Sequence, residues 1–263
     1  MATCYRHPSR ETGVSCSSCG RPICPDCMTP TPVGMRCPEC AKQRTKVQTA
    51  RATRTGEPRV TVAIIIACAV VFVGTNGFSG GSGTLWNDLL LYGPAVHFGH
   101  DYWRLVTSGF LHAGPIHILF NMYLLWILGN MLEPTLGSGR FAALYFTALL
   151  CGAFGALLVD PNSPTVGASG AVFGLMGAAA VELRSRGINP FKTDIGLLIV
   201  FNLVLSFVLS HVSVGGHIGG LIGGVLVGAA FDIADRQRMP WLAYASCLVL
   251  SAIAVFAALA VAG

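Results

Sequence analysis

The sequence predicts an all-α polytopic membrane protein with a small polar module at its N-terminus. Three observations predict it. Hydrophobic residues make up 53% of the 263-residue chain and charged residues only 11%, where a soluble domain carries roughly 25% charged residues. Seven apolar runs follow the first 59 residues, at about 60–74, 115–132, 141–159, 168–183, 195–209, 216–231 and 241–262. Finally, ten of the 17 Lys and Arg lie within residues 1–59, and seven of the ten cysteines lie between Cys4 and Cys40. That asymmetry divides the chain into a module at 1–45, a basic linker at 46–59 and a membrane domain at 60–263. Residues 1–10 are polar with no apolar core after them, so the start is not expected to act as a signal peptide.

In the module the potential metal ligands come in four close pairs: Cys4 with His7, Cys16 with Cys19, Cys24 with Cys27, and Cys37 with Cys40. Two intervening residues let a tight turn present both side chains of a pair to one tetrahedral metal, and eight ligands complete two sites. Sequential and interleaved pairing both satisfy the count. Gly20 after Cys19 suits a knuckle turn, where a Cβ would crowd the backbone. About 40 residues bury too little apolar area to fold alone, so structural zinc is expected to supply the stability. A disulfide scaffold would need an oxidising compartment, and a redox pair would come singly with a thioredoxin-like pattern. No ligand position stays open, which points to binding of a protein partner rather than catalysis. The module resembles B-box-type two-zinc fingers in ligand spacing alone. The basic run from Ala41 to Arg59, which includes the linker and carries Lys42, Arg44, Lys46, Arg51, Arg54 and Arg59, suits a juxtamembrane segment drawn to anionic lipid, a more economical reading than nucleic-acid binding.

Several of the seven runs are shorter than the ~20 residues of an upright span, so tilt or burial inside a bundle is expected. With the N-terminus inside, segments 1–59, 133–140, 184–194 and 232–240 carry 16 of the 17 Lys and Arg, leaving Arg104 as the one on the outer side. The positive-inside rule therefore predicts a multi-pass plasma-membrane protein with a cytoplasmic N-terminus and an outer C-terminus. The second, fourth and sixth spans then start at the outer side. Near those starts lie His117 and Asn121, one turn apart on one face, then Ser169, then His217. Polar side chains at this depth are costly and point to function.

The glycines supply packing surfaces. Gly216, Gly220, Gly224 and Gly228 repeat every four residues along the sixth span, with Gly219 and Gly223 widening the stripe, and Gly170, Gly174 and Ala178 match them on the fourth. Small-residue stripes let backbones approach closely, which would bring Ser169 within reach of His217. A serine needs a base to become a nucleophile, and His is the usual one near neutral pH. The start of a helix offers backbone N–H groups without intrahelical partners, and Asn121 and His117 add side-chain donors for an oxyanion. Without an acid near these positions, a Ser–His dyad is expected rather than a triad. Ala171 stands where the soluble hydrolase elbow requires its second glycine.

Trp103-Arg104, His117-x-x-x-Asn121, Gly167-Ala168-Ser169-Gly170 and His217-x-x-Gly220-x-x-x-Gly224 together resemble, in order, the motif set of rhomboid intramembrane serine proteases, and the resemblance spans nearly all of 60–263. It implies a six-helix core with one extra C-terminal helix, Ser169 as nucleophile and His217 as base, and an oxyanion hole of His117, Asn121 and the Ser169 backbone N–H. It further implies Phe173 beside the catalytic His, a structural role for Arg104, and no cofactor for catalysis. Substrates would be transmembrane proteins entering from the lipid bilayer near the second and fifth spans, with the active site opening to the outer side through a hydrophilic recess. His97, His100 and His211 read as solvated or loop-packing residues, and His112 as a neighbour of the site. Cys68, Cys151 and Cys247 read as small apolar packing residues. Two other functions compete. A catalytically silent binding or quality-control protein of the same fold need keep neither Ser169 nor His217, and a zinc-linked transporter would place acidic or His residues deep in the spans.

Overall fold

The computed structural model describes residues 2–32, 34–42, 57–208 and 212–263. Two compact units divide the chain, Met1–Ala52 and Thr53–Gly263. Arg44, Lys46, Arg51 and Arg54 of the expected linker, and His211, lie outside the described residues.

In the first unit β1 (Ala2–Thr3) pairs antiparallel with β2 (Glu11–Thr12), and β3 (Thr29–Thr31) pairs with β4 (Gly34–Arg36). A single helical turn and more follows, α1 (Pro38–Lys42). Strands of two or three residues hold little by themselves. The buried cluster they surround consists of six cysteines and one aliphatic side chain, Ile23. A core made of sulfur rather than hydrocarbon is the form expected where a metal takes the place of apolar burial.

The second unit is helical. In order it contains α2 (Arg59–Gly74), α3 (Thr84–Leu89), α4 (Gly93–His97), α5 (Arg104–Thr107), α6 (Pro115–Leu136), α7 (Ser138–Val159), α8 (Ser169–Ser185), α9 (Asp194–Val208), α10 (Val214–Arg236) and α11 (Pro240–Val261). Each expected apolar run falls on one of the seven longer helices. α6, α7, α10 and α11 are long and apolar enough to cross a membrane, while α2 and α9 are apolar but shorter. Their outward faces expose large apolar side chains, among them Ile116 and Leu119 on α6, Phe201 and Phe207 on α9, and Leu248 and Phe256 on α11. Such a continuous apolar surface requires lipid. This is an integral membrane protein.

α7 sits at the centre, packed against α8, α10 and α11, with Phe141, Leu144, Tyr145 and Ala148 fully buried. α8 continues from Gly170 to Ala179 without one exposed residue. α8 and α10 meet backbone to backbone: a Cβ at Gly220 would run into the Gly170 carbonyl oxygen, and one at Gly224 into that of Gly174. Gly219 and Gly223 do not widen this face. They turn towards Cys151 of α7, so α10 carries one glycine face for α8 and another for α7.

α6 extends four residues beyond the expected apolar run and thereby takes Glu133 into the helix. The Glu133 carboxylate is buried and accepts hydrogen bonds from the backbone N–H groups of Val60 and Thr61 (both 2.9 Å), the Thr61 hydroxyl (2.7 Å) and the Ser138 hydroxyl (2.7 Å). One helix thus caps the N-terminus of another, giving partners to amides that α2 cannot satisfy internally.

Candidate active site and metal centres

Three turns of chain bring the polar side chains together. Gly167 takes φ +129° and donates its N–H to the Ser108 carbonyl at 3.0 Å, and α8 begins two residues later at Ser169. At the start of α10 the Ser213 side chain caps the helix by accepting from Gly216 N–H at 3.2 Å, which places His217 on the first turn. Close approach of the two helices then sets the Ser169 Oγ to His217 Nε2 distance at 2.7 Å. Phe173, one turn after Ser169, stacks on the His217 ring with centroids 4.2 Å apart and planes 20° apart.

His117 and Asn121 face the same space from α6. His117 Nδ1 accepts from Ala113 N–H at 3.3 Å, and a Cβ at Gly167 would lie 2.8 Å from His117 Nε2. The missing side chain of Gly167 is therefore what admits the imidazole beside Ser169. Asn121 is buried and donates from Nδ2 to the His117 carbonyl at 3.0 Å. His112 is also fully buried, its ring packed edge-to-face on that of His117 with centroids 5.1 Å apart; neither of its nitrogens has a protein partner among the described residues.

Ser169, His217, Phe173, His117 and Asn121, but not His112, line a cavity of about 1260 Å³ together with loop residues Ala113, Gly114, Ser163, Thr165 and Val212. Leu124, Leu149, Val159, Val172 and Leu205 make most of its wall apolar. The expected hydrophilic recess is instead a mainly apolar cleft with polar groups converging at Ser169, the usual composition of a ligand site. Trp103 and Arg104 do not line it. Trp103 is half-exposed and donates from Nε1 to the Asp88 carbonyl at 3.0 Å. Arg104 is buried, paired with Asp101 at 2.8 Å and donating to the carbonyls of Asn87 and Leu90, so it pins the loop between α3 and α5. His100 is exposed beside the Tyr102 hydroxyl. Cys68 and Cys247 are buried and Cys151 half-buried.

In the first unit the eight ligands form two tetrads, Cys4, His7, Cys24 and Cys27, and Cys16, Cys19, Cys37 and Cys40; within each, one donor atom per residue lies within 4.8 Å of the others. The pairing is the interleaved one. His7 offers Nδ1, 3.3 Å from Cys24 Sγ and 3.4 Å from Cys27 Sγ. Gly20 takes φ +74° and donates to the Cys16 carbonyl at 2.9 Å, the knuckle expected of it. Cys37 N–H donates to Cys16 Sγ at 3.3 Å, and this bond pulls the Cys16 thiol down to about 6. Hydrogen bonding to Cys37 and Cys19 pushes the Cys40 thiol up to about 12. All-sulfur and sulfur–imidazole tetrads of this size suit a metal in tetrahedral geometry.

A family model for the Rhomboid domain matches residues 99–232, a little over half of the chain. The chain belongs to the rhomboid family. It is 38% identical over 106 residues to Rhomboid protease GluP of Bacillus subtilis (39% of this chain, 21% of that protein). Similarity to the Putative rhomboid protease YdcA of the same organism is 40% over 95 residues (35% and 47%), and to the Inactive RHOMBOID-like protein 8 of Arabidopsis thaliana 33% over 110 residues (41% and 31%). The matched stretch spans between a fifth and a half of these relatives. Within the rhomboid domain, sequence reasoning missed Ser206, whose hydroxyl lies 2.5 Å from His217 Nδ1. The signal was present as Asn202 and Ser206, a polar pair one turn apart in an otherwise apolar run.

Proposed function

We propose that this chain is an intramembrane serine endopeptidase that hydrolyses peptide bonds in or near transmembrane segments of membrane-anchored proteins. The 2.7 Å contact between Ser169 Oγ and His217 Nε2 at the mouth of a cleft carries the reading. Nucleophile and base are in hydrogen-bond reach before substrate arrives. His217 takes the Ser169 proton as Oγ attacks the scissile carbonyl, then returns it to the leaving amine. A water then repeats the sequence on the acyl-enzyme. The oxyanion is met by the Ser169 backbone N–H, by Asn121 Nδ2 and by His117. Because His117 Nδ1 already accepts from Ala113, its proton resides on Nε2, on the Gly167 side. Each such donor is worth roughly 10²–10³ in kcat. Among the described residues the hydrogen-bond partners of His217 side-chain nitrogens are hydroxyls, in keeping with a dyad.

In this reading Gly167 and Gly170 admit neighbours to Ser169, Phe173 supports the base, and Gly220 and Gly224 set the α8–α10 spacing. The two tetrads bind structural zinc and the module docks a protein partner. The distribution of Lys and Arg supports a plasma-membrane location with the N-terminus cytoplasmic and the cleft opening outside. Relatives named as proteases favour an active enzyme. The test is the reconstituted full chain given a labelled single-span substrate. Cleavage should vanish in Ser169→Ala and in His217→Ala. Cleavage that survives Ser169→Ala sinks the serine mechanism, and no cleavage across a substrate panel favours the silent binding protein.

A further inference from the structure

We propose that Ser206 is a positioning residue that fixes the tautomer of His217, placing the proton on Nδ1 and leaving the Nε2 lone pair for Ser169. This rests on the reading of His217 as base. Ser206 is 3% exposed and comes from α9, a helix that supplies neither nucleophile nor base. Its Oγ lies 2.5 Å from His217 Nδ1 and 2.7 Å from the backbone carbonyl of Asn202.

The proton count decides the direction. A hydroxyl has one hydrogen to donate, and the Asn202 carbonyl can only accept. If Ser206 donates to Asn202, its lone pair accepts from His217 Nδ1–H, and Nε2 accepts from Ser169 O–H. Three hydrogen bonds are made. In the opposite tautomer Ser206 must donate to Nδ1, the contact with Asn202 lapses, and Nε2–H points at Ser169, so only two are made. That form cannot take the serine proton. In a buried site the arrangement with more satisfied donors is favoured. The Phe173 stack cannot make this selection, because it holds the ring plane without distinguishing the two nitrogens. The arrangement also serves the imidazolium formed during attack: Nδ1–H keeps its acceptor while Nε2–H protonates the leaving amine.

The experiment is ¹⁵N spectroscopy of imidazole-labelled full-length protein in bilayers, with the His217 signals assigned by their loss in His217→Gln, combined with kinetics on a labelled single-span substrate. Wild type should show His217 protonated at Nδ1. Ser206→Ala should give mixed tautomers and lower kcat about tenfold with KM within about twofold, whereas Ser206→Thr, which keeps the hydroxyl, should retain both the tautomer and most of kcat. An Nε2–H signal in wild type overturns the proposal, as does an unchanged tautomer and kcat in Ser206→Ala. The wild-type spectrum decides even if the variants fold poorly. A wild type that cleaves nothing would refute the protease reading while the spectrum still tests the Ser206 contact.

Discussion

Gly167 holds a φ of +129° and leaves room for His117 Nε2 where a Cβ would sit 2.8 Å away. Substitution by alanine acts twice, through backbone strain and through displacement of the imidazole. Gly167→Ala is expected to lower kcat by at least about tenfold with little loss of helicity, measured by cleavage and circular dichroism. In the proposed mechanism Asn121→Ala removes one donor to the developing oxyanion. It should reduce kcat by roughly 10² while KM changes little; an equal change in KM would assign Asn121 to substrate binding instead. At this scale the sequence already singled out the residues that the structure places around the cleft, because Ser169, His217, His117 and Asn121 are rare polar residues in apolar surroundings. Ser206 escaped notice because serine is common in membrane helices, and nothing in the run 195–209 shows which face meets α10.

The helix pair α8–α10 depends on two backbones touching. At Gly220 and Gly224 a Cβ would meet a carbonyl oxygen of α8, whereas at Gly228 it would meet Ala178 Cα at 3.0 Å. A graded outcome follows. Gly220→Val should abolish cleavage and lower the unfolding temperature, since neither backbone can yield without separating Ser169 from His217. Gly228→Ala, about three turns from His217, should leave most activity. Equal loss in both would mean that the glycines serve general stability rather than the spacing of the site. The four-residue repeat was readable because helical periodicity is regular. The division of labour between the α7-facing and α8-facing glycines was not, since it depends on which helices surround α10.

Across the whole molecule the two units rest on different physics, sulfur ligands in one and helix packing in the other. Chelation at neutral pH should therefore strip two metal ions per chain and expose residues 2–42 to protease, while the helical signal of the membrane unit persists. Metal analysis and limited proteolysis read this directly. Acid should act in the same direction, because protons compete with the metal for the thiolates. A module that stays protease-resistant without metal would refute the structural role. Four Cys or His pairs pointed to two four-ligand groups, but the interleaved connection is a matter of chain path and needed the structure.

Glu133 introduces time into this picture. The amides it caps, at Val60 and Thr61, precede it by 73 and 72 residues. At about 5–20 residues per second, roughly 4–15 s of synthesis separate the two partners. During that interval the N-terminal amides of α2 lack the Glu133 cap. The carboxylate then closes the bundle from the far end of α6. A nascent chain arrested before residue 133 should accordingly leave α2 more readily extracted from the membrane than one arrested after Ser138, whose hydroxyl completes the cap.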